Sequence, residues 1–437
     1  MPLPIVAIVG RPNVGKSTLA NRITCRDDAI VSEMRGVTRD RSYHEADWNG
    51  RGFLLVDTGG IALGDTDDFQ SSITSQALMA ADEADAVIFV VDSRTGPTDE
   101  DVEIARVLRR GSAPVLLAVN KLDNPEREEA MWEFLSLGLG EPRAVSALHG
   151  HGTGDLLDEV VSNFPEPADG DDADDGRVGV AIIGRPNAGK STLANRLVGS
   201  ERSIVSDVAG TTRDAIDTLV DHDGKSYRIV DTAGLRKKSA IDCDVEYYGY
   251  VRSLRAIDRA DVVLLLVDAS LGLTDQDQRI ARLAADRGRA MGIVVNKTDL
   301  LDGDDARTEL LSRIEDRMEF VSFAPVIEMS ALFGKGVSRV WKTVDSCHAA
   351  WMRRLSTAQL NRLVTELRDF GHGVTKGGRR LRVNYATQTA VAPPVFTFFC
   401  NFPELADDNY RRYLENRLRA AFDLAGTPVR LKFKKKN

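Results

Sequence analysis

Short apolar runs that end in glycine-rich or polar clusters recur along this chain of 437 residues. Ile5-Val-Ala-Ile-Val9 and Val180-Ala-Ile-Ile183 each precede a glycine-rich turn and then a stretch rich in Leu and Ala, which predicts buried strand, loop, helix. Phe53-Leu-Leu-Val-Asp57, Tyr227-Arg-Ile-Val-Asp231, Val115 to Val119 and Gly292 to Val295 are further apolar segments of strand length. Strands of this kind, alternating with helical stretches, predict an α/β fold with a mostly parallel sheet and helices on both faces. From Trp351 onward the pattern changes. It predicts a helix near Ser356 to Phe370, strands at Arg380 to Tyr385 and Val395 to Cys400, a helix from Asp407 to Phe422 and a strand at Pro428 to Phe433. That order describes a small αββαβ module of the α+β class.

The two α/β stretches are copies. Gly-Arg-Pro-Asn-x-Gly-Lys-Ser-Thr-Leu-Ala-Asn-Arg runs from Gly10 to Arg22 and again from Gly184 to Arg196, differing only at Val14 and Ala188. Lys190, Thr212 and Asp231 follow Lys16, Thr38 and Asp57 by 174 positions, and Asp268 and Asn296 follow Asp92 and Asn120 by 176. Offsets this steady mean that a whole fold is repeated, with small loop insertions. Between the copies, Pro165 to Gly176 lacks large apolar side chains and carries six carboxylates, so it repels itself and cannot bury a core. The expected organisation is a first α/β domain over 1–164, an acidic flexible linker over 165–177, a second α/β domain over 178–350 and the α+β module over 351–437.

Set between a strand and a helix, the repeated phrase reads as a phosphate-binding loop. Small residues let backbone N–H groups converge on phosphate oxygens at a helix N-terminus, where the helix dipole favours negative charge. The candidate binding residues are Gly10, Arg11, Pro12, Asn13, Val14, Gly15, Lys16 and Ser17, and their counterparts Gly184, Arg185, Pro186, Asn187, Ala188, Gly189, Lys190 and Ser191. Lys16 and Lys190 are expected on the β- and γ-phosphates, and Ser17 and Ser191 on Mg²⁺. Thr38 and Thr212, each in a Gly-x-Thr-Arg-Asp stretch, are expected to close over Mg²⁺ and the γ-phosphate as a switch. The segments Asp57-Thr58-Gly59-Gly60 and Asp231-Thr232-Ala233-Gly234 follow strands; their Asp residues suit a place just behind the Mg²⁺ ligands. Gly60 and Gly234 can offer a backbone N–H to the γ-phosphate.

Asn120-Lys121-Leu-Asp123 and Asn296-Lys297-Thr-Asp299 follow apolar strands, so they sit at the carboxyl edge of a parallel sheet, where ligands bind. An Asp carboxylate accepts both N1–H and N2–H₂ of guanine. Adenine offers no such donor pair, and a mismatched base leaves a buried charge without partners. Asp123 and Asp299 therefore favour GTP and disfavour a nucleotide kinase or ATPase. Ser146-Ala147 and Ser330-Ala331, each followed by Leu, complete the sets by presenting backbone N–H groups to the base. After the Asp-x-x-Gly motifs stand Ile61 and Leu235, where many regulatory GTPases place a Gln that orients the attacking water, so slow intrinsic hydrolysis is expected. Asn13 and Asn187 are candidates to hold a monovalent cation against the phosphates; stabilising the turn is the alternative job for an Asn there.

The net charge of −9 is unevenly placed. From Trp351 to the end 17 Lys/Arg face 7 Asp/Glu, a local balance of +10 against −19 for everything before it. The tail Lys432 to Asn437 suits phosphate backbones, a solvated face being the plainer reading. Val262-Val-Leu-Leu-Leu-Val267 falls far short of the ~20 residues that span a bilayer. Met1 to Gly10 leads into a strand rather than a signal peptide, and a cytoplasmic protein is expected. Cys25, Cys243, Cys347 and Cys400 show no paired spacing and are expected to be reduced packing residues.

On both Gly-Arg-Pro-Asn-x-Gly-Lys-Ser loops, both Thr-Arg-Asp stretches, Asp57 to Gly60, Asp231 to Gly234 and both Asn-Lys-x-Asp motifs, the chain resembles the Der family (also called EngA), bacterial GTPases with two Era-like domains in tandem. Asn384 to Gln388, Pro393-Pro394 and Tyr410 to Leu418 look like that family's C-terminal domain, so the resemblance spans essentially the whole length. It implies two P-loop GTPase domains with a KH-like C-terminal domain lodged between them, GTP and GDP with Mg²⁺ and stimulating K⁺, and a role in assembling the large ribosomal subunit. Precursors of that subunit and their ribosomal RNA are the implied partners of a monomer. Gly371 to Gly378 follows one helix and precedes a strand, and so is not the Gly-x-x-Gly element joining two helices by which ordinary KH domains clamp a nucleic-acid backbone. Phosphate contacts from Lys376, Arg379, Arg380 and the tail are expected instead of sequence-specific readout. A nucleotide-gated ribosome-binding protein in which one copy is a non-hydrolysing sensor is the alternative.

Overall fold

The computed structural model describes residues 3–24, 43–57, 84–123, 125–164, 176–199, 205–208, 217–230, 253–369, 375–376 and 379–435. Among these, the residues up to Phe164 form one compact unit and those from Gly176 the other.

In the first unit the strands are β1 (Ile5–Val9), β2 (Tyr43–Trp48), β3 (Arg51–Asp57), β4 (Ala86–Asp92), β5 (Val115–Asn120) and β6 (Arg143–Ala144). They form one sheet in the order β2-β3-β1-β4-β5-β6, parallel except for β2. β2 and β3 are joined through Asn49-Gly50, both at positive φ (53° and 77°), the combination of a type I′ hairpin turn. The period-two geometry of a strand sends alternate side chains to opposite faces. Val6 and Ile8 pack with Leu19, Ala20 and Ile23 of the helix Lys16–Thr24 and with Leu156, Leu157 and Val160 of the helix Thr153–Ser162. Ala7 and Val9 face Ile104, Ala105 and Leu108 of the helix Asp99–Leu108. Burial on both faces explains why these strands read as unbroken apolar runs.

The second unit repeats this plan with β7 (Val178–Gly184), β8 (Val205–Val208), β9 (Asp217–His222), β10 (Lys225–Val230), β11 (Val262–Asp268), β12 (Ala290–Asn296) and β13 (Val326–Glu328). Its order, β13-β12-β11-β7-β10-β9-β8, is that of the first sheet with β8 added at the antiparallel edge. Asp223-Gly224, at φ 49° and 78°, repeats the hairpin turn. Val180 and Ile182 pack with Leu193, Leu197, Trp341 and Val344, and Ala181 and Ile183 with Ile280, Ala281, Ile314 and Leu310. The expected α/β class, with helices on both faces of a mostly parallel sheet, holds in both units.

In the C-terminal region a helix (Thr357–Asp369) precedes the two-residue strands β14 (Thr375–Lys376) and β15 (Arg379–Arg380), then β16 (Val383–Ala390), β17 (Val395–Cys400), a helix (Asp408–Ala421) and β18 (Arg430–Lys435). β16 pairs antiparallel and β18 parallel with β17. The αββαβ order is therefore present, with three differences. Where one strand was expected over Arg380 to Tyr385, Asn401 interrupts the ladder by accepting from Arg382 N at 2.8 Å and donating to Arg380 O at 2.9 Å. The following strand runs on to Ala390 because Gln388 anchors it, accepting from Leu355 N at 2.7 Å and donating to Arg353 O at 2.8 Å. β18 also begins two residues later than Pro428.

This region packs on the second α/β fold through backbone as well as side chains. Met291 N donates to Gly426 O at 2.7 Å, Gly426 N to Phe323 O at 2.6 Å, and Arg430 Nη2 to Asp286 O at 2.8 Å. Gly426 sits at φ +80°, and a Cβ there would collide with Cys347 Sγ. Cys347 and Cys400 are buried free thiols, and burial pushes the Cys347 thiol up to about 12. Cys25 and Cys243 lie outside the described residues.

Candidate functional site

Both glycine-rich loops connect a central strand to a helix, β1 to Lys16–Thr24 and β7 to Lys190–Val198. Gly10 and Gly184 have φ of +153° and +142°; a Cβ on Gly10 would meet Val90 O, and one on Gly184 would stand 2.5 Å from Leu266 O. Gly15 and Gly189, at φ +100° and +99°, have no room either, since a Cβ would strike the carboxamide of Asn120 or Asn296. The loops curl tightly around their lysines. Lys16 Nζ donates to Gly10 O at 2.6 Å and Arg11 O at 2.9 Å, and Lys190 Nζ to Gly184 O at 2.8 Å and Arg185 O at 2.7 Å. Burial pushes Lys190 down to about 8, opposed by the charge of Asp277, and lowers Lys16, opposed by the charge of Asp57. Pro12, Asn13, Ser17, Asn187 and Ser191 are exposed, whereas Val14 and Ala188 are buried and Pro186 half-buried. Asn13 and Asn187 adopt left-handed backbone at φ 63° and 62°, a conformation Asn tolerates better than most residues.

The Asn-Lys-x-Asp segments fold against these loops. Asn120 Nδ2 donates to Val14 O at 2.8 Å while its Oδ1 accepts from Ala147 N at 2.9 Å. Asn296 repeats both bonds, to Ala188 O at 2.8 Å and from Ala331 N at 2.9 Å. One buried carboxamide thus ties the phosphate loop to the Ser-Ala loop in each copy, at the carboxyl edge of the sheet. Lys121 and Lys297 take left-handed φ of 67° and 62°, and each bonds the Asp that ends the neighbouring strand: Asp92 and Asp268, both at 2.6 Å. Lys121 also donates to Asn13 O at 2.7 Å. Asp123 accepts from Ser146 Oγ at 2.8 Å; that bond first, and then the Arg94 guanidinium, hold its carboxyl below the usual range. In the second copy the corresponding Asp299 is exposed and Ser330 is buried.

Sequence reading missed several supports. Arg22 donates to Ala147 O at 3.2 Å and Arg196 to Ala331 O at 3.2 Å, bracing the Ser-Ala loops from the ends of the helices. Arg11 and Arg185 pair with Asp101 and Asp277 at 3.5 and 3.2 Å. Those two Asp residues are fully buried and, in capping boxes, bond Thr98 and Thr274. All are duplicated at matching positions, a signal present in the alignment of the two copies.

Asp57 is buried at the end of β3, close enough in charge to oppose the lowering of Lys16. The Ser17 hydroxyl, on the helix that follows β1, is an oxygen donor of the kind that hard Mg²⁺ prefers, and the Asp57 carboxylate ends the strand paired with β1. Thr38, Thr58, Gly59, Gly60, Ile61, Thr212, Asp231, Thr232, Ala233, Gly234 and Leu235 lie outside the described residues. No described helix is long and apolar enough to cross a membrane.

The profile of the 50S ribosome-binding GTPase family matches residues 5–121 and 179–297, and that of the KH-domain-like C-terminal region of EngA bacterial GTPase enzymes matches 354–434. GTPase Der of Heliobacterium modesticaldum is 48% identical over 98% of both chains. GTPase Der of Moorella thermoacetica is 49% identical over 100% of this chain and 99% of its own. Among solved structures, Era of Aquifex aeolicus bound to GDP and aluminium fluoride is a distant likeness, with a TM-score of 0.31 at 22% identity over 60% of this chain and 93% of that one. Two GTPase folds and an EngA-type C-terminal domain, matched from end to end at nearly half identity, make this chain a member of the GTPase Der family of GTP-binding, GTP-hydrolysing proteins.

Proposed function

We propose that both GTPase copies bind guanine nucleotide and that their GTP and GDP states gate binding to precursors of the large ribosomal subunit and their ribosomal RNA. The observation that carries nucleotide binding is the duplicated Asn bridge, which couples a phosphate-binding loop to a base-reading loop twice over. Backbone N–H groups within 10–17 and 184–191, Pro12 and Pro186 having none, cradle the phosphates, and Lys16 and Lys190 neutralise them. Asp123 and Asp299 accept from guanine, with Ala147 and Ala331 presenting their loops to it.

Ser17 and Thr38, Ser191 and Thr212, backed by Asp57 and Asp231, hold Mg²⁺, which when bound neutralises charge on the β- and γ-phosphate oxygens. Asn13 and Asn187 hold K⁺ in the same loops. With Ile61 and Leu235 in place of a water-orienting Gln, turnover stays slow without an accelerating influence. The acidic stretch 165–177 separates domains 1–164 and 178–350, and the basic module 351–437 supplies phosphate contacts through Lys376, Arg379, Arg380 and the β18 lysines. The protein acts as a cytoplasmic monomer. In support, exposed Arg430, Lys432, Lys434 and Lys435 line one strand at the end of the chain. Depletion in a bacterial cell is expected to accumulate large-subunit precursors; a normal ribosome profile after depletion rejects the assembly role.

A further inference from the structure

The two base-reading carboxylates stand in unequal surroundings. Asp123 Oδ1 accepts from Ser146 Oγ at 2.8 Å and lies 4.0 Å from His149 Nε2, while Oδ2 accepts from Arg94 Nη2 at 2.9 Å. Position 94 corresponds to 270 at the same offset of 176 that relates Asp92 to Asp268. Ser270 carries no charge, and its hydroxyl turns inward to Asp268 Oδ1 at 2.7 Å. The Arg–Asp pair is therefore a property of the first copy.

Guanine presents two donors to this carboxylate, one for each oxygen, and a guanidinium on Oδ2 uses both acceptor capacity and negative charge that the base needs. Arg94 belongs to the turn that follows β4, on the carboxyl edge where the phosphate loop also lies, so it reaches Asp123 from outside the motifs that define the fold. Its side chain is 61% exposed and free to swing away.

We propose that Arg94 is an affinity-setting gate of the first nucleotide site: guanine enters by displacing Arg94 from Asp123, an exchange that the second site, with Ser270, does not require. This rests on the assignment of Asp123 as the guanine acceptor. Exposed ion pairs are weak and screened by salt, so the gate is worth about two- to five-fold in dissociation constant at low ionic strength and less at high.

The test uses the full chain carrying Lys190→Ala, which silences the second loop, titrated with a fluorescent GDP at constant K⁺ and two ionic strengths. Arg94→Ser is expected to tighten binding about two- to five-fold at about 0.05 M ionic strength, with the gain shrinking by about 0.5 M. In the chain carrying Lys16→Ala, Ser270→Arg is expected to weaken the second site by a similar factor. Unchanged or weaker binding by Arg94→Ser overturns the gate. Asp123→Asn in the first background tests the underlying assignment separately: retained guanine affinity there rejects Asp123 as the acceptor, whatever Arg94→Ser does.

Discussion

Asn120 and Val14 are 106 residues apart, yet the Asn120 carboxamide donates to the Val14 carbonyl at 2.8 Å inside the protein, and Asn296 does the same to Ala188. Each carboxamide also accepts a backbone N–H from the Ser-Ala loop. Two parts of a nucleotide site are thereby held in register by a side chain that need not touch the nucleotide.

Asn296→Ala removes both bonds and strands a buried carbonyl and N–H. At about 1–3 kcal/mol for each buried group left unpaired, a loss of roughly 2–6 kcal/mol is expected, shared between folding and nucleotide affinity. Thermal melts with and without GDP measure the two shares. A variant as stable and as tight-binding as the parent removes the bridge from the account.

The Lys190 ammonium titrates near pH 8 before nucleotide arrives, because burial opposes its charge. Phosphates favour the charged form, so its pKa rises on binding and a proton is taken up above about pH 8. Affinity of the second site is thus complete below pH 8 and declines as pH rises through it, by at most about tenfold per unit for one coupled proton. Calorimetry of the Lys16→Ala chain in buffers of different ionisation heat reads this uptake directly; equal affinity at pH 7 and pH 9 contradicts it.

The left-handed backbone of Asn13 and Asn187 separates their two possible jobs. Gly occupies that backbone without strain, so Asn13→Gly and Asn187→Gly keep the turn and remove the carboxamide. If the carboxamides hold K⁺, these variants lose the acceleration of hydrolysis on replacing Na⁺ by K⁺ while still binding GDP. Retained K⁺ dependence assigns the Asn residues to the turn alone.

Gly426→Ala puts a methyl group into Cys347 at a φ of +80°. Gly303, at φ +84° with open space around it, provides the control: Ala there costs only the backbone strain of about 1–2 kcal/mol. Gly426→Ala is expected to cost several kcal/mol more and to speed hydrogen exchange at the Met291 amide, its bonded neighbour. Equal melting temperatures for the two variants refute the packing argument.

The buried strands were legible because both faces are covered, leaving unbroken runs such as Ile5 to Val9, and the site motifs because each is contiguous and occurs twice. What escaped is held by contacts distant in sequence. Arg94 reaches Asp123 across 29 positions and Gln388 reaches Leu355 across 33, and neither type of residue signals its partner locally. β16 extends through the polar stretch Thr387-Gln388-Thr389, where the apolar signal ends but ladder pairing with β17 continues. The interruption by Asn401 likewise depends on a side chain that folds back across a turn.

β12 begins at Ala290 and Met291, where Met291 bonds the loop before β18, and ends at Asn296, which grips the phosphate loop. It is hydrogen-bonded to β11 on one side and β13 on the other. A strand so clamped cannot stretch, and the distance from Met291 to Asn296 is about 17 Å at ~3.3 Å per residue. The strand is thus a strut: whatever shifts the Asn296 end in the second GTPase fold must carry or strain the Gly426 anchor at the other. The C-terminal module is mechanically an extension of that GTPase fold.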